Sequence, residues 1–182
     1  RRRLRADQNS LRGLFSGGTL CYEAQVIWRE LLDEPVLSNA PIEKTNRLAD
    51  SWRSQGHTAI DLGEEEFTIG RPHPMIDNDL RIRRLLQEAA DPTTAVIVLD
   101  VVLGFGAHPD PASDLAPAIT RAREIAKEGD RELVLVASVT GTETDPQEYN
   151  RQVHTLERAG VLVCESNATA ARLAAQIVKK QA

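Results

Sequence analysis

The segment Leu14-Phe15-Ser16-Gly17-Gly18-Thr19-Leu20-Cys21-Tyr22-Glu23-Ala24 sets a short apolar run, a Ser-Gly-Gly-Thr turn and a helical pattern in immediate succession. That order builds an anion site. Paired glycines let the backbone bend and come close to a ligand, and the following helix aims unpaired N–H groups and its positive dipole end at the guest. A phosphate or carboxylate would be held by Ser16, Gly17, Gly18, Thr19 and the helix start at Leu20. The plainer alternative is a tight strand-to-helix connection capped by Thr19. A cap needs only one polar residue, whereas this turn has two, flanking two glycines.

Other segments carry residues of similar promise. Gly104-Phe105-Gly106-Ala107 and Thr140-Gly141-Thr142 are glycine-containing loops that each follow an apolar run. In Phe67 to Asp77, His73 stands between Pro72 and Pro74, which restrict its backbone, and Arg71 offers a planar fork suited to an anion. The same segment would also serve as an Ω-type surface loop or a subunit contact. Asp100 lies near the end of the strongest apolar run, where a carboxylate is costly unless hydrogen-bonded or close to solvent. His73 and Asp100 are therefore the catalytic candidates. His57, His108 and His154 have no ligand-like spacing, and Cys21 and Cys164 are too few and too distant for a cluster, so no metal site is expected.

These residues need a frame to position them. Strands are predicted at Leu11 to Phe15, His57 to Leu62, Thr94 to Leu103, Leu133 to Val139 and Val161 to Cys164. Helices are predicted from Leu20 to Leu31, Leu80 to Ala90, Asp114 to Glu128 with Pro117 in or near its first turn, Pro146 to Ala159 behind an Asp145 cap, and Ala168 to Lys180. In the last of these, Leu173, Ala174 and Ile177 share one face. Pro35 to Glu43 and Gly63 to Asn78 read as connections. Five strands alternating with helices predict a three-layer αβα domain around a parallel sheet of flavodoxin-like order 2-1-3-4-5. Ligands of such sheets sit beyond the carboxyl ends at the switch point, which here lies between the Ser16 and Gly104 loops.

Composition bounds the function. The chain has 182 residues, 41% of them hydrophobic and only 4% aromatic, which suits one domain with an aliphatic core at 11–182 behind a linker arm at 1–10. A net charge of −5 argues against nucleic acid as the partner, and the basic run Arg1-Arg2-Arg3-Leu4-Arg5 is taken as a solvated arm or the remnant of an upstream domain. Neither a signal peptide nor a membrane span is evident, and the expectation is a cytoplasmic protein with reduced thiols. The first residue is not methionine, so the chain is expected to be a piece of something longer.

Ser16 to Ala24 resembles the SxSGTLxYEA segment that opens the second domain of succinyl-CoA synthetase alpha subunits, where turn and helix hold the phosphate of a phosphohistidine. The likeness continues through Val96 to Gly106, Leu133 to Gly141 and Leu156 to Val161. Leu14 to Ala24 together with His57 to Asp77 and Gly141 to Gln147 is similar, more closely, to FdrA proteins, an acyl-CoA-synthetase-like family. This chain departs from the synthetases at one decisive place. Val139 to Pro146 runs directly toward the next helix, so the loop with the phosphorylated histidine of the GHAGA motif is missing. The glutamate of the synthetases' GEIGG segment aligns with Val101, and Asp100 beside it must point to the opposite face of the strand.

The resemblance implies an acyl-CoA synthetase-like domain that binds phosphate or acyl phosphate at residues 16–20, 104–106 and 140–141 without the ordinary phosphohistidine relay. It also implies a carbamoyl- or acyl-transferring complex, because some FdrA proteins are linked to carbamoyl transfer from carbamoyl phosphate. No cofactor is expected in this domain itself. CoA or nucleotide would come through an upstream Rossmann-type CoA-binding domain or a partner subunit, in a homo- or hetero-oligomer. The alternative is a noncatalytic interaction domain that keeps the ligase fold as a subunit interface.

Overall fold

In the computed structural model, the structure describes residues 4–179, and the Arg1-Arg2-Arg3 run lies outside them. The elements are β1 Ser10–Phe15, α1 Gly18–Leu31, β2 Val36–Ser38, β3 His57–Asp61, α2 Glu65–Thr68, α3 Asp79–Ala90, β4 Thr94–Val102, α4 Pro111–Glu128, β5 Val134–Thr140, α5 Tyr149–Arg158, β6 Leu162–Cys164 and α6 Asn167–Val178. All strand pairs are parallel, in the order β2-β3-β1-β4-β5-β6. The expected five-strand order holds as β3-β1-β4-β5-β6, and a sixth strand, β2, joins the edge. Its three residues follow Pro35 and are too short to display an alternating pattern, so the sequence reads there only as a connection.

Helices cover both faces. Leu14, Ile97, Leu99, Val101, Leu135 and Ala137 pack under α3, α4 and α5, while Leu11, Phe15, Val96, Val98 and Val136 pack under α1 and α6. β4 is buried over almost its whole length because it lies in the middle of the sheet with helices on both sides. Gly13 leaves the room that Trp28 of α1 fills against the sheet. A methyl group there would come within 2.5 Å of the Phe15 ring and 2.7 Å of Trp28. Trp28 in turn donates its indole N–H to the Ala171 carbonyl at 2.9 Å. The core face of α6 is made of Ala170, Ala171, Ala174, Ala175 and Val178, with Leu173 and Ile177 only partly buried beside it. Small residues face α1 because the helices approach closely.

Two helix starts differ from expectation. α4 begins at Pro111 behind Asp110, whose carboxylate accepts the Ser113 N–H, so Pro117 lies inside the helix and not in its first turn. Asp145 does not cap a helix at Pro146. Its Oδ2 accepts the Thr142 N–H at 2.6 Å and closes a turn, and α5 starts at Tyr149. At the other end of the chain, Gln8 lies on the arm side of the expected boundary. It is buried and donates to the carbonyls of Thr94 at 2.9 Å and Glu132 at 2.7 Å.

Candidate functional site

The loops after β1, β3, β4 and β5 leave the same edge of the sheet, and the Ser-Gly-Gly-Thr turn lies between β1 and α1. Gly17 is the N-cap and Gly18 the first helical residue, so Thr19 is the second residue of the helix and not its cap. The N–H groups of Gly18, Thr19 and Leu20 occupy the first turn, where a helix has no internal acceptor. No acidic residue of α1 itself stands in that turn. Neither glycine has a positive φ. A methyl group on Gly17 would come within 3.3 Å of Met75 Cε, the tip of a flexible side chain, and one on Gly18 within 3.1 Å of Asp61 Oδ2, so both would be tight.

Ser16 faces inward. Its N–H and hydroxyl both donate to the Asp100 carboxylate, at 2.8 and 2.5 Å, and Ser16 is buried. Asp100 is itself fully buried and is paired with Arg81 at 3.2 Å, and Arg81 also donates to the Asp100 carbonyl. Burial weakens Arg81's hold on its proton, and Asp100 opposes that effect. Asp100 therefore works on the turn from below: it fixes Ser16 and thereby the entry of α1. Val101, on the other face of β4, is packed in the α3–α4 core, as strand alternation requires.

Asp61 carries no obvious mark in the sequence, yet it stands at the turn. It ends β3, is 3% exposed, and accepts the Gly63 N–H through Oδ1 at 2.8 Å. Burial pushes its carboxyl above the usual range; Glu64 and Asp100 add to this, while the Gly63 N–H and His73 oppose it. His73 reaches the same point. A methyl group on Gly63 would lie 2.8 Å from His73 Nε2, 2.9 Å from the Ser16 carbonyl oxygen and 3.1 Å from Asp61 Oδ1. Only glycine fits where the first turn, the end of β3 and the proline-bracketed loop converge. His73 Nδ1 accepts the Met75 N–H at 3.2 Å, which holds the ring within its own loop. Arg71 diverges from its neighbour and lies over the Trp52 ring at 5.8 Å, with Trp52 packed edge-on against Phe67.

The remaining loops are tied together. The Gln147 side chain is buried, accepts the Gly104 N–H at 3.1 Å and donates to the carbonyls of Gly104 at 2.9 Å and His108 at 3.1 Å. The His108 N–H donates to the Met75 carbonyl at 2.8 Å, which links the β4 loop to the loop lying against Gly17. Gly104 and Gly106 have φ of +133° and +85°, conformations that favour glycine. They hold Phe105 out at 93% exposure. Gly141 packs against Leu103, whose N–H bonds the carbonyl of the exposed Thr140 at 2.8 Å. Cys21, under α1, is no thiolate nucleophile, because burial pushes its thiol far up. Among the described residues no cluster of three His, Cys, Asp or Glu could hold a metal ion, and no helix is long and apolar enough to cross a membrane.

The CoA-ligase family model matches residues 14–177, from the end of β1 to the last turn of α6. The chain belongs to the CoA-ligase family. The match begins at the Leu14-Phe15 lead into the Ser-Gly-Gly-Thr turn, and it covers all of the loops described above. The uncharacterised protein YahF of Escherichia coli (strain K12) is 43% identical over 180 residues, which is 99% of this chain and 35% of that protein. The chain thus spans about a third of the length of this relative. This CoA-ligase domain is of the succinyl-CoA synthetase type.

Reasoning from sequence missed Asp61, Gly63 and Gln147. Gly63 follows a predicted strand as Gly17 follows β1 and Gly104 follows β4, and that recurrence was the available signal. Asp61 and Gln147 give none of their own, because their roles come from neighbours distant in the chain.

Proposed function

We propose that this CoA-ligase domain is FdrA-like and holds an inorganic or acyl-linked phosphate at the start of α1, as part of an acyl- or carbamoyl-transferring complex. The observation that supports this best is the first turn of α1. It presents backbone donors from Gly18, Thr19 and Leu20, has no acidic residue of its own, and is fixed from below by Ser16, Asp100 and Arg81. Preformed donors of this kind stabilise charge on the departing phosphate as the nucleophile of an acceptor substrate bonds to the acyl or carbamoyl carbon and the C–O bond to phosphate breaks, and they need no reorganisation when it does. The phosphate-leaving step then requires no covalent nucleophile from this chain, in keeping with the missing histidine loop. CoA or nucleotide would be brought by a Rossmann-type domain or a partner subunit, and the isolated domain would bind CoA weakly.

The experiment is a titration of amide resonances with phosphate and carbamoyl phosphate. Saturable shifts centred on Gly18 and Thr19 are expected; a silent turn would exclude the anion reading. A noncatalytic role as a subunit interface is favoured by one observation, the exposure of Phe105 and Ile76 on loops at the same edge. It would be supported by a silent turn combined with assembly that fails when Phe105 is replaced.

A further inference from the structure

Asp100 is a carboxylate placed beneath a turn where an anion is to be held. Its Oδ1 accepts the Ser16 N–H at 2.8 Å, so its charge sits on the residue that precedes the two glycines of the α1 start. Asp61 adds a second carboxylate, against Gly18. Left uncompensated, the pair would repel the guest that the first-turn amides attract. Arg81 answers one of them. It is 2% exposed, and its Nη2 lies 3.2 Å from the same Asp100 Oδ1, so a single oxygen stands between the guanidinium and the Ser16 N–H. Nη2 also donates to the Asp100 carbonyl, whereas the Nε N–H has no partner among the described residues. A buried guanidinium whose donors are only partly used carries positive potential beyond what its own ion pair consumes.

We propose that Arg81 is the residue that makes the α1 turn receptive to an anion: it cancels the charge of Asp100, so that Asp100 can position Ser16 without repelling the guest. The proposal rests on the anion reading of the α1 turn and accounts for a carboxylate in its floor. Arg81 touches no guest and is a positioning residue, acting through Asp100 and through its field. It asks nothing of the guest's protons, so inorganic phosphate and an acyl-linked phosphate are admitted alike. Without Arg81, one unit of negative charge a few ångströms below the turn would cost a phosphate roughly thirtyfold or more in affinity, even at an effective permittivity of about 20.

Isothermal titration with sodium phosphate at constant ionic strength, on the wild type, Arg81→Met, Asp100→Asn and the double variant, tests it. The pH is 8, where the two Ser16 donors keep Asp100 ionised in Arg81→Met. Arg81→Met is expected to bind phosphate about thirtyfold more weakly, and adding Asp100→Asn to return the affinity to within about threefold of the wild type. Asp100→Asn alone keeps an acceptor for Ser16 and leaves Arg81 unopposed, so it binds phosphate about tenfold more tightly. An Arg81 that only supports the fold would lower stability when replaced, but it would not produce that tightening. Unchanged affinity in folded Arg81→Met, or unchanged or weaker affinity in folded Asp100→Asn, overturns the role of Arg81 and leaves the anion site standing. A folded wild type that binds no phosphate overturns the anion reading, and this role with it. Should one single variant not fold, the other decides.

Discussion

Where the strands enter the sheet, a buried cluster of charge is closed on itself; where they leave it, one carboxylate oxygen stays open. At the entry end, Arg12 lies 2.9 Å from Glu88 in an ion pair that lacks hydrogen-bond alignment, and 2.7 Å from Asp91. Glu88 also takes Arg84 at 2.6 Å and the Ser54 hydroxyl, and Arg131 caps the carbonyls of Ala89 and Asp91. These contacts tie α3 to β1 and leave nothing for a guest. At the exit end, Asp100 is matched by Ser16 and Arg81, while Arg81 Nε is left without a partner and Asp61 has a protein donor on Oδ1 alone. Buried charge as such is thus no pointer to a site in this molecule.

The comparison breaks most visibly at Glu88. Glu88→Ala leaves Arg12 and Arg84 buried without their shared carboxylate, and urea unfolding is expected to show a loss of about 3–5 kcal/mol. Ser16→Ala removes one hydrogen bond to a buried charge while its backbone N–H still reaches Asp100. The expected cost is about 1–2 kcal/mol by the same measurement, together with weaker phosphate binding, which Glu88→Ala would not produce in molecules that remain folded.

A proton supplies a gentler test. Burial holds the His57 imidazole below its ordinary value of 6.5, with Arg12 helping and Glu34 opposing, and its Nδ1 accepts the Leu11 N–H. Below pH 6.5 the unfolded chain therefore binds more protons than the folded one. The stability that neutral His57 confers is fully present above that pH and declines as the pH falls, so the unfolding midpoint should drop on acidification, and less so in His57→Asn. Smallest of all is Phe105→Ser, expected to change stability by no more than about 0.5 kcal/mol in thermal unfolding.

The layers of the fold were legible because β4 and β5 are largely apolar on both faces and the helices between the strands keep their period. The missed strand β2 is short and at the edge, where backbone pairing and not side-chain pattern defines it. The start of α4 hinged on Asp110 and Pro111, a cap pair overlooked in favour of Asp114. In the site, the Ser-Gly-Gly-Thr turn was visible as a local signal, but the use of its parts was not. Ser16 turns toward Asp100, 84 residues away, and Gly18 makes room for Asp61. Contacts of that span leave no trace in a local pattern.

The bond from Trp28 to the Ala171 carbonyl joins residues 143 positions apart. A chain emerging from the ribosome makes β1, the Ser-Gly-Gly-Thr turn and α1 early, yet the small-residue floor on which α1 rests is made nearly last. Until α6 arrives, the indole N–H has no acceptor and the side of α1 that meets Ala170, Ala171 and Ala174 is uncovered. The part of the domain made first is completed only when α6 docks.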